Sequence, residues 1–454
     1  MAIGKRKRER QETLWIPTSE IPTAPAHPFY KQLNSILNRH GFDEFVEKLC
    51  GKFYAPQMGR PGLIPGIYFR LLLVGYFEGL DSERGIAWRT ADSLALRSFL
   101  GLRLTEAAPD HSTISRTRRL IDLETHQAVF TWVLQRVAES GLLKGKTIGI
   151  DATTLEANAA LRSIVRRDTG ESYQEFLTKL AKESGIETPT REDLARLDRK
   201  RAKKGSNQDW MHPHDPDARI TKMKDGSTHL AHKTENAVDL DTGVVVGVTV
   251  QPADEGDTAT MIETLITAAE QVETVLPESK GIEEIVTDKG YYNTERIVDL
   301  EQLGLRTYIS EPKQRRRRWD GDDEARDAVY SNRRRVRGER GKALLRRRGE
   351  RLERPFAHLY ETGGMRRTHL RGSTNILKRV LIHVSALNLG ILMRAMVGIG
   401  TPRGLQGRVC APILALHRIV TTICSVVQAA VDIEWSRATF SLIQVHPTLL
   451  ESRT

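Results

Sequence analysis

The chain has 454 residues, a formal net charge of +11 and a pI near 9.5. This length is enough for one large core with appended parts, or for two to three domains of ordinary size, so an enzyme fits within it. The positive balance predicts nucleic acid or another anionic surface as the partner. Between residues 313 and 351, sixteen Lys or Arg stand against seven Asp or Glu, so this stretch alone contributes +9.

Several classes of protein are excluded by simple features. The three cysteines lie far apart without CxxC spacing, which argues against a disulfide framework and a zinc site and fits a reducing cytoplasm. The basic N-terminus has no apolar core after it and is not a secretory signal. The two most apolar stretches, 380–399 and 411–432, contain His and Arg and favour buried helices over membrane spans. We therefore expect a soluble, cytoplasmic protein with no membrane contact.

A helical region is predicted at residues 28–140. Apolar residues recur there at helical spacing in PFYKQLNSILNRHGFDEFVEKLC and LIPGIYFRLLLVGYFEGL. In PDHSTISRTRRLI, Asp110 and Ser112 are candidate N-caps of a short helix with three arginines. Such a helix suits a DNA groove or phosphate backbone, and a solvated helix face is the alternative. The three arginines are Arg116, Arg118 and Arg119.

From residue 146 the pattern changes to short strands. KTIGID predicts a buried strand, 155–212 a polar and mostly helical stretch, and HLAHKTENAVDLDTGVVVGVTVQ a hairpin that turns at residues 241–243. A helix follows in TATMIETLITAAEQVETVL, then a strand in GIEEIVTD, a helix in NTERIVDLEQLG and a strand in RTYIS. Two more helices are predicted at about 343–361 and 374–396. This order predicts an α/β fold, a mixed sheet with helices on its faces.

Two aspartates follow short apolar strands of this predicted sheet. Asp151 ends KTIGID and Asp288 ends GIEEIVTD, and a helix crosses over between the two strands. The strands can therefore lie parallel and adjacent, with their carboxyl ends at one edge. Open α/β sheets usually have their sites at this edge. Taken singly, an aspartate in such a place is more often a turn residue.

A third carboxylate, Glu353, lies in RRRGERLERPFAHLYETGGMRRTHLRG. On a helix it shares one face with Phe356, Ala357 and Tyr360, at i, i+3, i+4 and i+7 spacing. An unpaired charge on a packing face is costly to bury, and a metal ion shared with the two aspartates would provide a partner. Two divalent ions held by carboxylates are the usual means of cutting and joining phosphodiesters.

The motifs IGIDATTLEANA, DPDARITK with HLAHKTENAVD, IVTDKGYY, and ERLERPFAHLYETGGMRRTHLRG with LIHVSALNLGILMR together resemble the DDE transposases of bacterial insertion sequences. The resemblance covers roughly 28–396, and PDHSTISR resembles the end of that group's N-terminal helical domain. It implies an RNase H-like catalytic core that moves DNA with two Mg²⁺ ions, or Mn²⁺. It also implies that Asp151, Asp288 and Glu353 are the catalytic, metal-binding triad.

The resemblance further implies how the chain is organised. We expect a basic tail at 1–27, a helical DNA-binding domain at 28–140 and an RNase H-like catalytic domain at 141–399. A mostly helical insertion at about 155–225 interrupts the catalytic domain, and the tail at 400–454 has no assigned role. The expected partners are the terminal inverted repeats of the element and the target DNA, both double-stranded, bound by a homodimer.

Basic residues near the predicted active edge are expected to contact DNA phosphates, which would make binding strongly dependent on salt. For the arginine runs, a merely solvated surface is the alternative. Besides the three arginines of the N-terminal helix, the expected DNA-binding residues are Lys289, Arg316, Arg317, Arg334, Arg335, Arg347, Arg348 and Arg351.

The segment around Glu353 departs from the family pattern at two positions, and it contains a second candidate for the third carboxylate. Many relatives carry an arginine four residues before the catalytic glutamate and a lysine or arginine seven after it, where this chain has Gly349 and Tyr360. Arg347, Arg348 and Arg351 would then take over the phosphate contact. Glu350, one turn away, competes with Glu353 for the role of third carboxylate.

Two other functions stay open on the sequence alone. A nuclease with the same core would use the same carboxylates for hydrolysis only, without strand transfer. A DNA-binding protein that has lost catalysis would bind DNA ends and would be indifferent to metal.

Overall fold

The structure is a computed structural model that describes residues 27–55, 61–201, 205–223, 226–312, 319 and 321–405. The predictions for the basic tail, for the arginines at 316 and 317, and for almost all of the C-terminal tail lie outside these residues. The described residues up to Leu387 belong to one compact unit, and those from Asn388 onward belong to a second one.

Seven helices precede the sheet in the described part of the chain, as the apolar periodicity predicts. Pro65 at the first position of the third helix and the left-handed Gly79 (φ +69°) after its last residue set the two ends of that helix. This helix is buried along almost its whole length. The helices are α1 (Pro28–Arg39), α2 (Phe42–Cys50), α3 (Pro65–Glu78), α4 (Glu83–Asp92), α5 (Leu94–Phe99), α6 (His111–Leu120) and α7 (Leu123–Glu139).

Within the described residues the main sheet has six strands, in the order β4-β5-β1-β7-β8, with β6 also paired to β5. β1 is antiparallel to β5 and parallel to β7, and β7 is parallel to β8, which confirms the predicted mixed sheet. The predicted hairpin is β5-β6, with the left-handed Gly243 (φ +83°) in its turn. The strands are β1 (Thr147–Glu156), β4 (Arg219–Lys222), β5 (Thr228–Asp239), β6 (Val245–Pro252), β7 (Glu284–Thr287) and β8 (Arg306–Ile309).

Helices cover both faces of this sheet. The helices that follow β6 are α10 (Asp257–Val275), α11 (Thr294–Gln302), α12 (Asp323–Arg337), α13 (Glu339–Phe356) and α14 (Ser373–Val397). Gly247 of β6 lies against the backbone of Ala268 in α10, whereas Gly149 of β1 lies against Leu352 in α13. Because side chains alternate along a strand and paired residues share a face, α10 and α13 cover opposite faces. We call these the α10 face and the α13 face.

The segment between β1 and β4 is only partly helical. It contains α8 (Tyr173–Glu183) and α9 (Arg191–Lys200), each of which begins with a capping box, and a two-stranded sheet of β2 (Val165–Arg166) and β3 (Trp210–Met211). Trp210 packs against Tyr173 and Phe176 and forms the core of this part.

Helix α14 ties the N-terminal helices to the rest of the first unit. Lys378 Nζ donates to the main-chain oxygens of Arg118 (3.1 Å) and Ile121 (2.7 Å) at the end of α6. Arg379 Nη2 donates to the oxygen of Leu80, just after α3 (2.9 Å). Lys378 thus satisfies main-chain oxygens at the end of α6, where carbonyl groups have no partner within the helix.

The same helix includes the first of the two apolar stretches. Within the described residues, Ser373–Leu405 is the one region long and apolar enough to cross a membrane, and 72% of its most apolar window is buried inside the protein. This burial supports the prediction of a buried helix at 380–399. The other stretch, 411–432, lies outside the described residues.

His126 of α7 is a buried, uncharged histidine at the centre of the helical region. Its Nδ1 lies 2.7 Å from the main-chain oxygen of Asp122 and its Nε2 lies 3.0 Å from the hydroxyl of Tyr68. One nitrogen therefore donates and the other accepts, as the neutral ring requires. Burial lowers the pKa of His126 to about 4.

We predict that acid destabilises the protein through this histidine. The unfolded chain binds a proton near pH 6.5 and the folded one only near pH 4, so stability is full above pH 6.5 and falls as the pH drops toward 4. At pH 5 the loss from this group is about 2 kcal/mol. Denaturant unfolding of wild type and His126→Gln at pH 7 and pH 5 measures it. An equally steep pH dependence in the variant would contradict the assignment.

Candidate active site

The two aspartates lie on neighbouring strands, as the sequence predicts. β1 and β7 pair in parallel, with Gly149 opposite Val286. Asp151 and Asp288 lie two residues beyond this pair, on the α13 face of the sheet. One detail of the prediction is wrong, because Asp151 does not end its strand. β1 continues to Glu156, since this stretch pairs with the polar first half of β5.

Asp288 is the first residue after β7 and caps a short 3-10 turn, Lys289–Tyr291. Its Oδ1 accepts a hydrogen bond from the main-chain N–H of Gly290 at 2.8 Å. Its side chain is 43% exposed. Asp288 therefore faces solvent from a turn, whereas Asp151 is fixed within a strand that is paired on both sides.

Arg348 of α13 joins the two carboxylates. Its Nη2 lies 2.9 Å from Asp151 Oδ2 and 3.8 Å from Asp288 Oδ2, and its side chain is only 16% exposed. The same cation is thus shared by two acids that would otherwise repel each other. Arg348 was expected to contact DNA phosphate, and in this structure its guanidinium faces the two aspartates.

Glu353 lies on the same helix and lines a cleft of about 600 Å³ together with Asp151. Among the described residues, the lining of this cleft includes Glu353 but not Glu350. Glu156 at the end of β1, and Arg366 and Arg367 after α13, are among its other polar lining residues. As the side chains stand, no three acidic, histidine or cysteine residues within the described ranges form a group that could hold a metal ion.

The helix that carries Glu353 changes its winding directly after it. Pro355 lies inside α13, and a π-helical segment, Ala357–Thr362, follows. π-helical turns are frequent at functional sites. Tyr360, at the position where the resemblance leads us to expect a basic residue, is buried, and its hydroxyl lies 3.0 Å from that of Thr234 in β5. Burial raises the pKa of Tyr360, so it is a neutral packing residue and not a phosphate ligand.

The remaining basic residues of the prediction differ in what they contact. Arg118 is buried and forms an ion pair with Glu83, and Arg335 is half-buried beside Glu301 and Thr307, so neither guanidinium is presented to solvent. Arg347 pairs with Asp241, and Arg351 donates to the main-chain oxygen of Thr242 at 3.3 Å, both at the hairpin turn. The expected residues whose side chains are exposed are Arg116, Arg119, Lys289, Arg334 and Arg347.

Behind Asp288, on the α10 face, lies a buried polar network that sequence reasoning missed. Glu235 of β5 accepts hydrogen bonds from Tyr291 (2.7 Å), Thr260 (3.1 Å) and Thr264 (2.5 Å). Burial raises the pKa of Glu235, and the hydroxyls of Thr264 and Tyr291 counteract this. The available signal was a pair of charged residues, Lys233 and Glu235, in a strand with partners on both edges.

Two family models match the chain. Residues 20–120 match a transposase domain (DUF772), and residues 167–389 match the transposase DDE domain. The chain belongs to the DDE transposases. The second match places the mixed sheet in the RNase H-like fold, as the sequence predicts, and it includes Asp288 and Glu353. Asp151 lies between the two matched ranges. No curated protein matches the chain.

We predict that Tyr360 of this transposase supports stability and not DNA binding. Tyr360→Phe leaves the Thr234 hydroxyl without its partner and should lower the free energy of unfolding by about 1 kcal/mol. The affinity for DNA should stay as in wild type. Denaturant unfolding and a DNA-binding titration of the same preparation measure both. Weaker DNA binding with unchanged stability would instead assign Tyr360 the role of the basic residue found in relatives.

Proposed function

We propose that this transposase binds the inverted repeats at the ends of its element, cleaves the DNA there and joins the freed 3′ hydroxyl to target DNA. The observation that carries the proposal is the parallel pairing of β1 and β7, which brings Asp151 and Asp288 to one cation. Both reactions are in-line transfers of a phosphoryl group, so one set of carboxylates serves both.

The chemistry of these side chains suits divalent metal ions, although their present spacing within the described residues does not form a metal-holding group. Asp151 and Asp288 are hard oxygen donors that already share one cation, and Glu353 lines the cleft that also contains Asp151. Mg²⁺ binds through a few carboxylates and keeps part of its water, and Mn²⁺ is accepted by similar ligands. We propose that these three side chains hold two such ions. When bound, ions of this kind activate the attacking oxygen and stabilise the leaving oxygen.

The exposed basic residues would hold the DNA across this cleft. Lys289 follows Asp288 directly, and Arg347 precedes Arg348, the partner of both aspartates, so both lie next to the site in sequence. Arg116 and Arg119 on α6 are exposed on the N-terminal helices. Such contacts orient the phosphate backbone without reading the base sequence. We propose that the protein acts as a homodimer that pairs two DNA ends, in the cytoplasm where the chromosome lies.

One prediction from this proposed function concerns DNA cleavage and strand transfer. We expect strand-transfer products from a donor plasmid carrying the flanking repeats and a second plasmid as target, in Mg²⁺ but not in EDTA. Asp288→Asn and Asp151→Asn should abolish cleavage and transfer while end binding persists, because neither charge is needed to hold the backbone. Cleavage without transfer products would indicate a nuclease, and end binding without cleavage in any condition would indicate an inactive DNA-binding protein.

A second prediction decides the third carboxylate. Glu353→Gln should lower the cleavage rate by about 10²-fold or more, as expected when a metal ligand is lost. Glu350→Gln is the matched control, because Glu350 is exposed on the same helix one turn away. The assignment is reversed if Glu350→Gln is the variant that loses cleavage.

A third prediction concerns Arg348, whose guanidinium stands where a shared metal ion would bind. Arg348→Gln removes a competing cation, so Mn²⁺ should bind to the DNA-free protein roughly fivefold more tightly, the equivalent of a ~1 kcal/mol ion pair. Electron paramagnetic resonance of free Mn²⁺ measures this. Arg347→Gln, which loses a pair with Asp241 instead, should bind Mn²⁺ as wild type does. Weaker binding in Arg348→Gln would contradict competition.

A further inference from the structure

The turn that carries Asp288 has an anchor on the opposite face of the sheet. Tyr291 is the last residue of the 3-10 turn that Asp288 caps, and its side chain is completely buried. Its hydroxyl donates to Glu235 Oε1 at 2.7 Å. Asp288 and Tyr291 thus point to opposite sides of one short turn. A movement of the ring would therefore displace the aspartate.

The acceptor in this contact is itself held in place. Glu235 is completely buried in β5, which pairs with both β1 and β6. Thr260 and Thr264 of α10 donate to its two oxygens, so the carboxylate is fixed by a strand and a helix at once. A buried carboxylate that accepts three hydrogen bonds is compensated for its lost hydration. Glu235 is therefore a rigid point of attachment.

The turn also makes close contacts at Gly290. A Cβ atom on Gly290 would lie 3.0 Å from Asp288 Oδ1 and 3.2 Å from Asp257 Oδ2. Asp257, at the start of α10, is held by Lys233 Nζ at 2.7 Å. Gly290 is thus fitted between two carboxylates, and its main-chain N–H fixes the Asp288 rotamer. These contacts hold the turn at Gly290, and Tyr291 holds its last residue.

We propose that Tyr291, attached to Glu235, is a positioning residue that sets the place of the Asp288 carboxylate. Asp288 needs such support because it is half-exposed and follows a strand of only four residues. Asp151 needs none, since its strand continues on both sides of it. Mutation of a group that orients a metal ligand typically lowers metal affinity by about 10- to 100-fold. This inference rests on the proposed role of Asp288 in holding a metal ion.

The test compares two buried tyrosines, Tyr291 in the turn after β7 and Tyr308 in β8. Tyr308 of β8 is also buried and donates to a buried glutamate, Glu284 (3.3 Å), which lies at the beginning of β7 and not at its end. Tyr291→Phe and Tyr308→Phe each remove one hydroxyl from a buried Tyr–Glu contact. Both losses are expected to lower stability by similar amounts. Only the loss at Tyr291 should alter the metal site.

The measurement is Mn²⁺ binding to the full chain without DNA, by electron paramagnetic resonance, with single-turnover cleavage of an end substrate as a second readout. Tyr291→Phe should weaken Mn²⁺ binding about tenfold. Tyr308→Phe should bind as wild type does. Affinity for DNA in EDTA should be equal in all three proteins. If Tyr291→Phe and Tyr308→Phe bind Mn²⁺ alike, the inference is overturned.

Two further variants separate failure of the Tyr291 proposal from failure of the proposed metal site and from misfolding. Asp288→Asn should lose Mn²⁺ binding. If it does not, the proposed function fails at its metal site, a result distinct from failure of the Tyr291 proposal alone. Should Tyr291→Phe not fold, Glu235→Gln keeps both the ring and an acceptor but makes the contact neutral and weaker. Because the hydrogen bond is only weakened, Glu235→Gln should bind Mn²⁺ about threefold more weakly than wild type. If Glu235→Gln binds Mn²⁺ as tightly as wild type, the inference is overturned.

Discussion

Repulsion between two carboxylates on adjacent strands is the constraint on which the rest of this site depends. Parallel pairing of β1 and β7 places Asp151 and Asp288 on the same face of the sheet, and in the isolated chain Arg348 lies between them. A cation between the two carboxylates lowers their mutual repulsion. The same negative potential that holds the arginine would attract divalent ions, so the ion pair and the proposed chemistry have one physical origin.

The two faces of the sheet carry different groups. The α13 face presents the carboxylates and the cleft, and the α10 face presents the buried contact of Glu235 with Tyr291. Strand alternation enforces this division, because Asp151 is opposite Asn236 whereas Glu235 points the other way. A half-exposed carboxylate can then be supported from the other face of the sheet by buried groups.

Part of this organisation could be predicted from the sequence, and the reasons differ from residue to residue. The pairing of Asp151 with Asp288 follows from two short apolar strands and a crossover helix, which leave few topologies. The continuation of β1 past Asp151 was missed because its partner is a polar segment of β5, which apolar patterns do not reveal. Arg118 resembles a solvated arginine in sequence, but it is buried against Glu83, a contact that only tertiary packing creates. The domain boundaries and the site roles remain predictions.

The most direct test of the metal site is to locate the ion on the polypeptide. Fe²⁺ substituted for Mg²⁺ generates hydroxyl radicals with ascorbate and peroxide, which cut the backbone next to the bound ion. Cuts near residues 151, 288 and 353 that disappear in Asp288→Asn are predicted. Cuts elsewhere, or the same cuts in the variant, would mean that the two strands and α13 do not form the metal-binding centre of this transposase.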